Sequence, residues 1–251
     1  MRTLFLSTIA SGIWVVLVSS TLGGVFATTT YTNDSDSGVT TQYTYTHAID
    51  LGGNGASIGG VTFVEDTSGN RTTYQYSVSP TLVGTAGTDN LPASSGVRDL
   101  TTQYVYDSTG TGQLTLQLEH LTVGYTYTTT FYDIGSGNAG SQYTRVTDGD
   151  GVQYVYDENY NGNGNGTLLR DTFTVTPLTT TYTYTFLSDT VDSNLGDPNV
   201  TPTTSTFFLY GFSNQVVATP EPSTLVIFGI GLPLVACGLR SRRKTAKTAQ
   251  S

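Results

Sequence analysis

The chain has 251 residues, enough for one domain or two small ones, with 10 Lys or Arg against 19 Asp or Glu and a formal charge of −9. Between Thr28 and Thr219 only Arg71, Arg98, Arg145 and Arg170 stand against 18 acidic residues, a formal −14 that repels phosphate backbones and excludes nucleic acid as a partner. The single cysteine, Cys237, lies near the C-terminus, so the body has no thiol for a disulfide, a nucleophile or a thiolate metal centre.

In chain order, Arg2 precedes a mostly apolar stretch from Leu4 to about Leu22, and Val25-Phe26-Ala27 puts small residues at −3 and −1. This is the pattern of a secretory signal peptide over residues 1–27, cleaved after Ala27; an uncleaved N-terminal helix is the alternative. Trp14, the only tryptophan, would leave with it. The acidic "NDSDSG" at 33–38 reads as a mobile segment at the start of the mature chain.

The body then alternates as strands do. "TQYTYTHA" at 41–48, "RTTYQYSV" at 71–78, "QYVYD" at 103–107 and "QLTLQLEHL" at 113–121 carry aromatic or aliphatic residues at every second position. The same holds for "YTYTTTFY" at 125–132, "QYVYD" at 153–157, "DTFTVT" at 171–176 and "TTYTYTFL" at 180–187. Gly-rich turn signals at 51–55, 66–70, 107–112, 133–140 and 161–166 separate them, and no comparable segment has a helical period. The fold class predicted for residues 28–219 is all-β: an antiparallel β-sandwich or jelly roll, flanked by an N-terminal signal helix and a C-terminal transmembrane helix. Galactose-binding jelly rolls are a second fold analogy, which implies no ligand.

Six Tyr-x-Tyr pairs begin at Tyr43, Tyr74, Tyr104, Tyr125, Tyr154 and Tyr182. They serve either as an aromatic platform for sugars or as core residues whose hydroxyls reach the sheet edge, and the core role is the commoner one. Only "QYVYD" recurs closely, so the pairs reflect strand similarity rather than tandem repeats. "LTVGYTY" at 121–127 resembles the turn-plus-Tyr of a tyrosine corner, with Tyr127 as the residue whose hydroxyl caps the turn.

Catalytic chemistry is thinly represented. His47 and His120 have no partner motif, and no GxSxG elbow places a serine nucleophile. A hydrolase of extracellular polysaccharide could draw an acidic pair from Glu65, Glu119 or Glu158 with an Asp, and is the alternative to a non-enzymatic role. No cofactor is called for. Calcium is a candidate at Asp148, Asp150 and Asp157, where Asp, Asn and Gly could supply oxygen ligands, although the EF-hand spacing is missing and a solvated hairpin turn is the favoured reading of the stretch.

The C-terminal residues 220–251 form a distinct unit. Pro220-Glu221-Pro222 is followed by an uncharged apolar run, Leu225 to Leu239, and then by Arg240, Arg242, Arg243 and Lys244. A helix over the run with Ser223 and Thr224 would span roughly 25 Å, slightly short of a ~30 Å hydrocarbon core, and the basic cluster would stay cytoplasmic. The prolines end any helix and hold the tripeptide extended. This ordered set resembles the PEP-CTERM sorting signal. The resemblance implies an exported bacterial protein, held transiently in the inner membrane and cut near Pro220-Glu221-Pro222 by an exosortase. It is then released or reattached at the cell surface, in an extracellular-polysaccharide or biofilm setting. An anchor that is never processed is the alternative. Replacing Pro220, Glu221 and Pro222 with Ala is expected to leave the chain full-length in the membrane fraction of an exosortase-bearing host; mass analysis of both termini in each cell fraction checks it.

Overall fold

The computed structural model describes residues 24–66, 76–79, 82–85, 90–106, 113–135, 143–158, 164–176, 180–189 and 208–217. Residues 1–23 and the tail, with Pro220, Glu221, Pro222, Arg240, Arg242, Arg243 and Lys244, lie outside the described residues, and with them fall the C-terminal flanking helix and most of the N-terminal one that the sequence predicts. Among the described residues no helix is long and apolar enough to cross a membrane.

The strands in chain order are β1 (Val25–Tyr31), β2 (Thr44–Leu51), β3 (Ala56–Ile58), β4 (Val61–Asp66), β5 (Tyr76–Ser79), β6 (Leu82–Thr85) and β7 (Gln103–Tyr106). They continue as β8 (Gln113–Leu118), β9 (Thr126–Ile134), β10 (Tyr143–Thr147), β11 (Gln153–Asp157), β12 (Gly166–Thr174), β13 (Tyr182–Asp189) and β14 (Gly211–Val217). A seven-stranded sheet runs β1-β12-β9-β14-β2-β4-β3, and a five-stranded sheet β11-β10-β13-β8-β5 faces it. The β6-β7 ribbon joins through Val105 and Leu209, whose backbones exchange hydrogen bonds of 2.9 and 3.0 Å.

The expected sandwich is therefore present, with one departure from antiparallel order. β2 and β4 pair in parallel. The two-residue turn Gly59-Gly60, both at positive φ, folds β4 back on β3 and inserts it between β3 and β2. β4 then necessarily runs in the direction of β2. The expected cleavage after Ala27 falls inside β1, whose first rungs set Val25, Phe26 and Ala27 opposite Thr172, Asp171 and Arg170.

Both faces of the large sheet are buried. Its inner face meets the five-stranded sheet through Ile49, Tyr127, Phe131, Leu169, Phe173 and Phe212, against Leu114, Leu116, Val146, Tyr184 and Phe186. Full burial of one such side chain is worth about 1.5–3 kcal/mol. The outer face carries Tyr31, Tyr132, Ile134, Leu168 and Tyr210, covered by Val39, Ile58, Phe63 and a five-residue helix α1 (Gly96–Leu100). The acidic "NDSDSG" segment is not the mobile stretch expected. It forms a 3₁₀ turn, Asp34–Ser37, whose Asp34 carboxylate accepts from the N–H groups of Gly96 and Val97 at 3.1 and 2.9 Å. These are orphan donors at the start of α1, and a carboxylate is a suitable acceptor for them.

Tyr127 behaves as a corner residue should: the Thr122 N–H donates to its hydroxyl at 2.9 Å. Tyr45 repeats the device, accepting from the Thr40 N–H at 3.2 Å. The two strands they open, β9 and β2, both flank β14.

Between β14 and β2 the register jumps from Asn214 opposite His47 to Gln215 opposite Tyr45, so Thr46 is an extra residue, a β-bulge. Asn214, 0% exposed, locks it. Its Nδ2 donates to Thr46 Oγ1 at 2.7 Å, its carbonyl accepts from Thr46 Oγ1 at 3.1 Å, and its Oδ1 accepts from Thr129 Oγ1 at 3.0 Å. Asn214→Ala strands the buried Thr129 hydroxyl and opens a hole, so it is expected to cost about 2–4 kcal/mol, read as a lower urea midpoint with unchanged m-value.

Candidate functional site

The bulge decides what faces outward at the start of β2. Simple alternation from Ile49 and His47 would send Tyr45 into the sandwich interior. With Thr46 inserted, His47 stays inside, 6.0 Å from the Phe212 ring, while Tyr45 sits opposite Gln215 on the outer face. There it helps to line a cavity of about 270 Å³.

The floor of this cavity is the sheet itself: Thr130 and Tyr132 of β9, Arg170 of β12, Ser213 and Gln215 of β14. Tyr43 and Tyr45 form one wall, Ser37 and Gly38 the other. Tyr43 is 48% exposed, while Tyr132 is buried with its hydroxyl 3.2 Å from Ser213 Oγ. Burial pushes the Tyr132 phenol well above its ordinary value, so it stays a neutral hydrogen-bonding group. Arg170 donates from Nη2 to the Ser37 carbonyl at 3.1 Å and from Nη1 to Thr29 Oγ1 at 3.4 Å. Gly38 has φ 75°, and a Cβ there would lie 2.6 Å from Arg170 Nη2. Only glycine meets both demands. Among the described residues no Asp or Glu lines the cavity.

The carboxylates gather elsewhere, in the interior. Asp148 lies in the β10–β11 turn, where its Oδ1 accepts from the N–H groups of Asp150 and Val152 at 3.0 and 2.8 Å. Asp171 enters from β12 and accepts from the Tyr184 hydroxyl at 3.0 Å. Asp148 Oδ2 and Asp171 Oδ1 have no hydrogen-bond partner and both crowd Gly24, 2.0 and 2.7 Å from the point where its Cβ would be. They are thus within about 5 Å of each other, close enough for like charges to oppose joint ionisation. Burial first, then the negative charges of Asp148 and Asp150, push Asp171 up to about 7.

Of the calcium candidates, Asp148 and Asp150 come together, with the Tyr182 hydroxyl donating to Asp150 Oδ2 at 3.1 Å. Asp157 does not join them. It pairs with Tyr143 at the far end of the same hairpin, and Asp171 occupies the place expected for it. Among the described residues no three His, Cys, Asp or Glu side chains form a group that could hold a metal ion.

The hydrolase candidates also separate. Glu158 is 0% exposed, takes a hydrogen bond from Thr144 Oγ1, and shares the interior with Asp133, which accepts from the Tyr156 hydroxyl at 3.1 Å. Burial raises both members of this pair, and the charge of Asp133 raises Glu158 further, favouring their neutral forms. Asp50, on β2, is also 0% exposed and is pushed by burial up to about 7; its register partner Glu65 is exposed. Glu119 and His120 follow β8 on the other sheet, away from His47. Sequence reasoning missed Arg170, Thr130, Ser213 and Gln215, because only the strand order β12-β9-β14-β2 brings them side by side.

Residues 218–244 match the family model of the PEP-CTERM protein-sorting motif. The chain therefore carries a PEP-CTERM sorting motif, the mark of an exported protein processed by an exosortase. No curated protein matches it. A family 35 carbohydrate binding module from Clostridium thermocellum is similar over 55% of this chain and 90% of its own, at 8% identity and a TM-score of 0.32. The C-terminal family 22 carbohydrate binding module of a Clostridium thermocellum xylanase is similar over 61% and 90%, at 14% identity and 0.30. An exo-β-1,3-galactanase from Phanerochaete chrysosporium is similar over 62% of this chain but only 31% of its own, at 14% identity and 0.31. At these values the likeness transfers neither a ligand nor a site.

The buried carboxyls give a signed pH dependence. Asp50 and Asp171 titrate near 7 when folded and near ~4 when unfolded, so between those values the folded chain holds protons that the unfolded chain releases. Their contribution to stability is complete below the unfolded pKa and is lost as pH rises through 7. Calorimetry from pH 4 to 9 is expected to show Tm falling between about pH 4 and 7 and levelling off above that. Asp171→Asn, which keeps an acceptor for Tyr184, should flatten the fall. The same scan in millimolar calcium tests a cation between Asp148 and Asp171: a rise in Tm at pH 8 that Asp171→Asn abolishes supports it, and no rise rejects it.

Proposed function

We propose that this is an exosortase-processed surface or extracellular-matrix protein whose β-sandwich binds glycans without cleaving them. The observation that carries the reading is the outer-face cavity, which combines a half-exposed Tyr43, a second ring in Tyr45 and several neutral hydrogen-bonding groups on a rigid sheet. Sugars present apolar ring faces and many hydroxyls. An aromatic side chain with an exposed face covers the first, and Thr130, Ser213 and Gln215 answer the second. A sheet floor holds these groups with little ordering cost on binding.

The sorting motif fits such a role, because it directs the body to the compartment where extracellular polysaccharide is found. The inner membrane is then a temporary partner and the exosortase a processing one. A hydrolytic role has weaker support. The carboxyls with raised pKa values (Asp50, Asp133, Asp148, Asp171 and Glu158) are all buried, and none lines the cavity. General acid catalysis requires a carboxyl within reach of the glycosidic oxygen.

A glycan array followed by calorimetric titration tests the reading. Tyr43→Ala and Gln215→Ala are each expected to weaken binding about tenfold, equivalent to ~1.4 kcal/mol. As surface changes they should shift stability by no more than about 0.5 kcal/mol. Incubation with the bound glycan should release no new reducing ends; their steady release would show a hydrolase instead.

A further inference from the structure

We infer that the cavity selects an acidic sugar, holding the anionic group of a uronate or a sulfated residue on Arg170; this rests on the glycan-binding reading above. Arg170 is half-buried, and its hydrogen bonds go to two neutral oxygens, the Ser37 carbonyl and Thr29 Oγ1. A guanidinium has five N–H donors and no acceptor, so these two bonds leave donors for a ligand. Their planar fork matches the two oxygens of a carboxylate or sulfate.

The setting sharpens the point. The body has 18 acidic residues and four cations, yet no acid lines the cavity in which Arg170 stands. Buried carboxyls are engaged elsewhere, as Asp171 is by the Tyr184 hydroxyl and Asp133 by the Tyr156 hydroxyl. Among the described residues no counter-charge for Arg170 stands in the cavity, and the ligand supplies it. A half-buried cation without a partner charge is costly, and an arriving anion recovers that cost. Tyr43 then covers the apolar ring face, and Ser213 and Gln215 meet the neutral hydroxyls beside the charged group.

The test uses the full-length chain and short oligosaccharides, because a body of net −14 repels long polyanions. Tetragalacturonate, its methyl ester, a sulfated galactotetraose and the unsulfated galactotetraose are titrated in parallel. At least one acidic probe should bind about tenfold or more tightly than its uncharged counterpart. Preference for tetragalacturonate over its ester identifies a carboxylate, and preference for the sulfated sugar over the unsulfated one identifies a sulfate. Arg170→Gln should abolish the preference, and Arg170→Lys should restore part of it. The ester and unsulfated arms need no variant, so the test stands even if Arg170→Gln fails to fold. Equal binding of charged and neutral forms overturns the acidic-sugar inference but leaves the glycan reading standing. Absence of binding to any saccharide, on the array or in titration, overturns both.

Discussion

The site depends on one buried carboxamide. Asn214 lies where β14 meets both β9 and β2, and it bonds to Thr129 on one side and Thr46 on the other. Without the bulge it fixes, period-2 alternation would send Tyr45 into the sandwich interior, beyond the reach of Gln215 and Tyr43. A single inserted residue therefore separates two surfaces on one strand: His47, Ile49 and Leu51 serve the inner core, while Tyr45 serves the cavity. The corner bond from the Thr40 N–H to the Tyr45 hydroxyl holds the re-aimed ring from the opposite direction.

A core short of aliphatic side chains explains where the acids go. Tyr127, Tyr156, Tyr182 and Tyr184 fill space that Leu or Ile would fill elsewhere, and each brings a hydroxyl that needs an acceptor once buried. Tyr156, Tyr182 and Tyr184 find Asp133, Asp150 and Asp171. The formal charge of the body thus overstates its surface charge at neutral pH, because several carboxyls are interior and held towards their neutral forms. The same economy leaves Arg170 without a counter-ion in the cavity among the described residues: its neighbour Asp171 points through the sheet to the other face.

The strands with alternating Tyr and Thr were readable from periodicity, and their two-sheet arrangement follows from the number of short strands and Gly-rich turns. β14 escaped notice because its buried positions include Ser213 and Asn214, which dilute the apolar signal. The "NDSDSG" segment misled for a related reason: polar residues bonded to one another and to the start of α1 look the same in sequence as polar residues in solvent. Asp157 was grouped with Asp148 by proximity along the chain, yet a five-residue strand carries it to the other end of its hairpin. Asp171, more than twenty positions later, arrives instead across the sandwich. The Tyr-x-Tyr pairs divide between two environments. Tyr182 and Tyr184 are core residues, whereas Tyr43 and Tyr45 line the cavity.

The sheet order also bears on how the chain matures. β14 ends at Val217, three positions before Pro220, and it is a central strand with β9 on one side and β2 on the other. Among the described residues the β1-β12-β9 half and the β2-β4-β3 half share no ladder except through it. The large sheet cannot close until the last strand of the body is in place, and the contacts that close it span up to about 170 residues, the slow kind to form. The registers further show that β1 begins and β14 ends at the same end of the sheet, since Val25 lies opposite Thr172, Thr172 opposite Thr128, and Val217 opposite Thr126. A sorting motif joined directly to a central closing strand ties completion of the fold to arrival of the tail. Cutting within Pro220-Glu221-Pro222 leaves every rung of that strand intact.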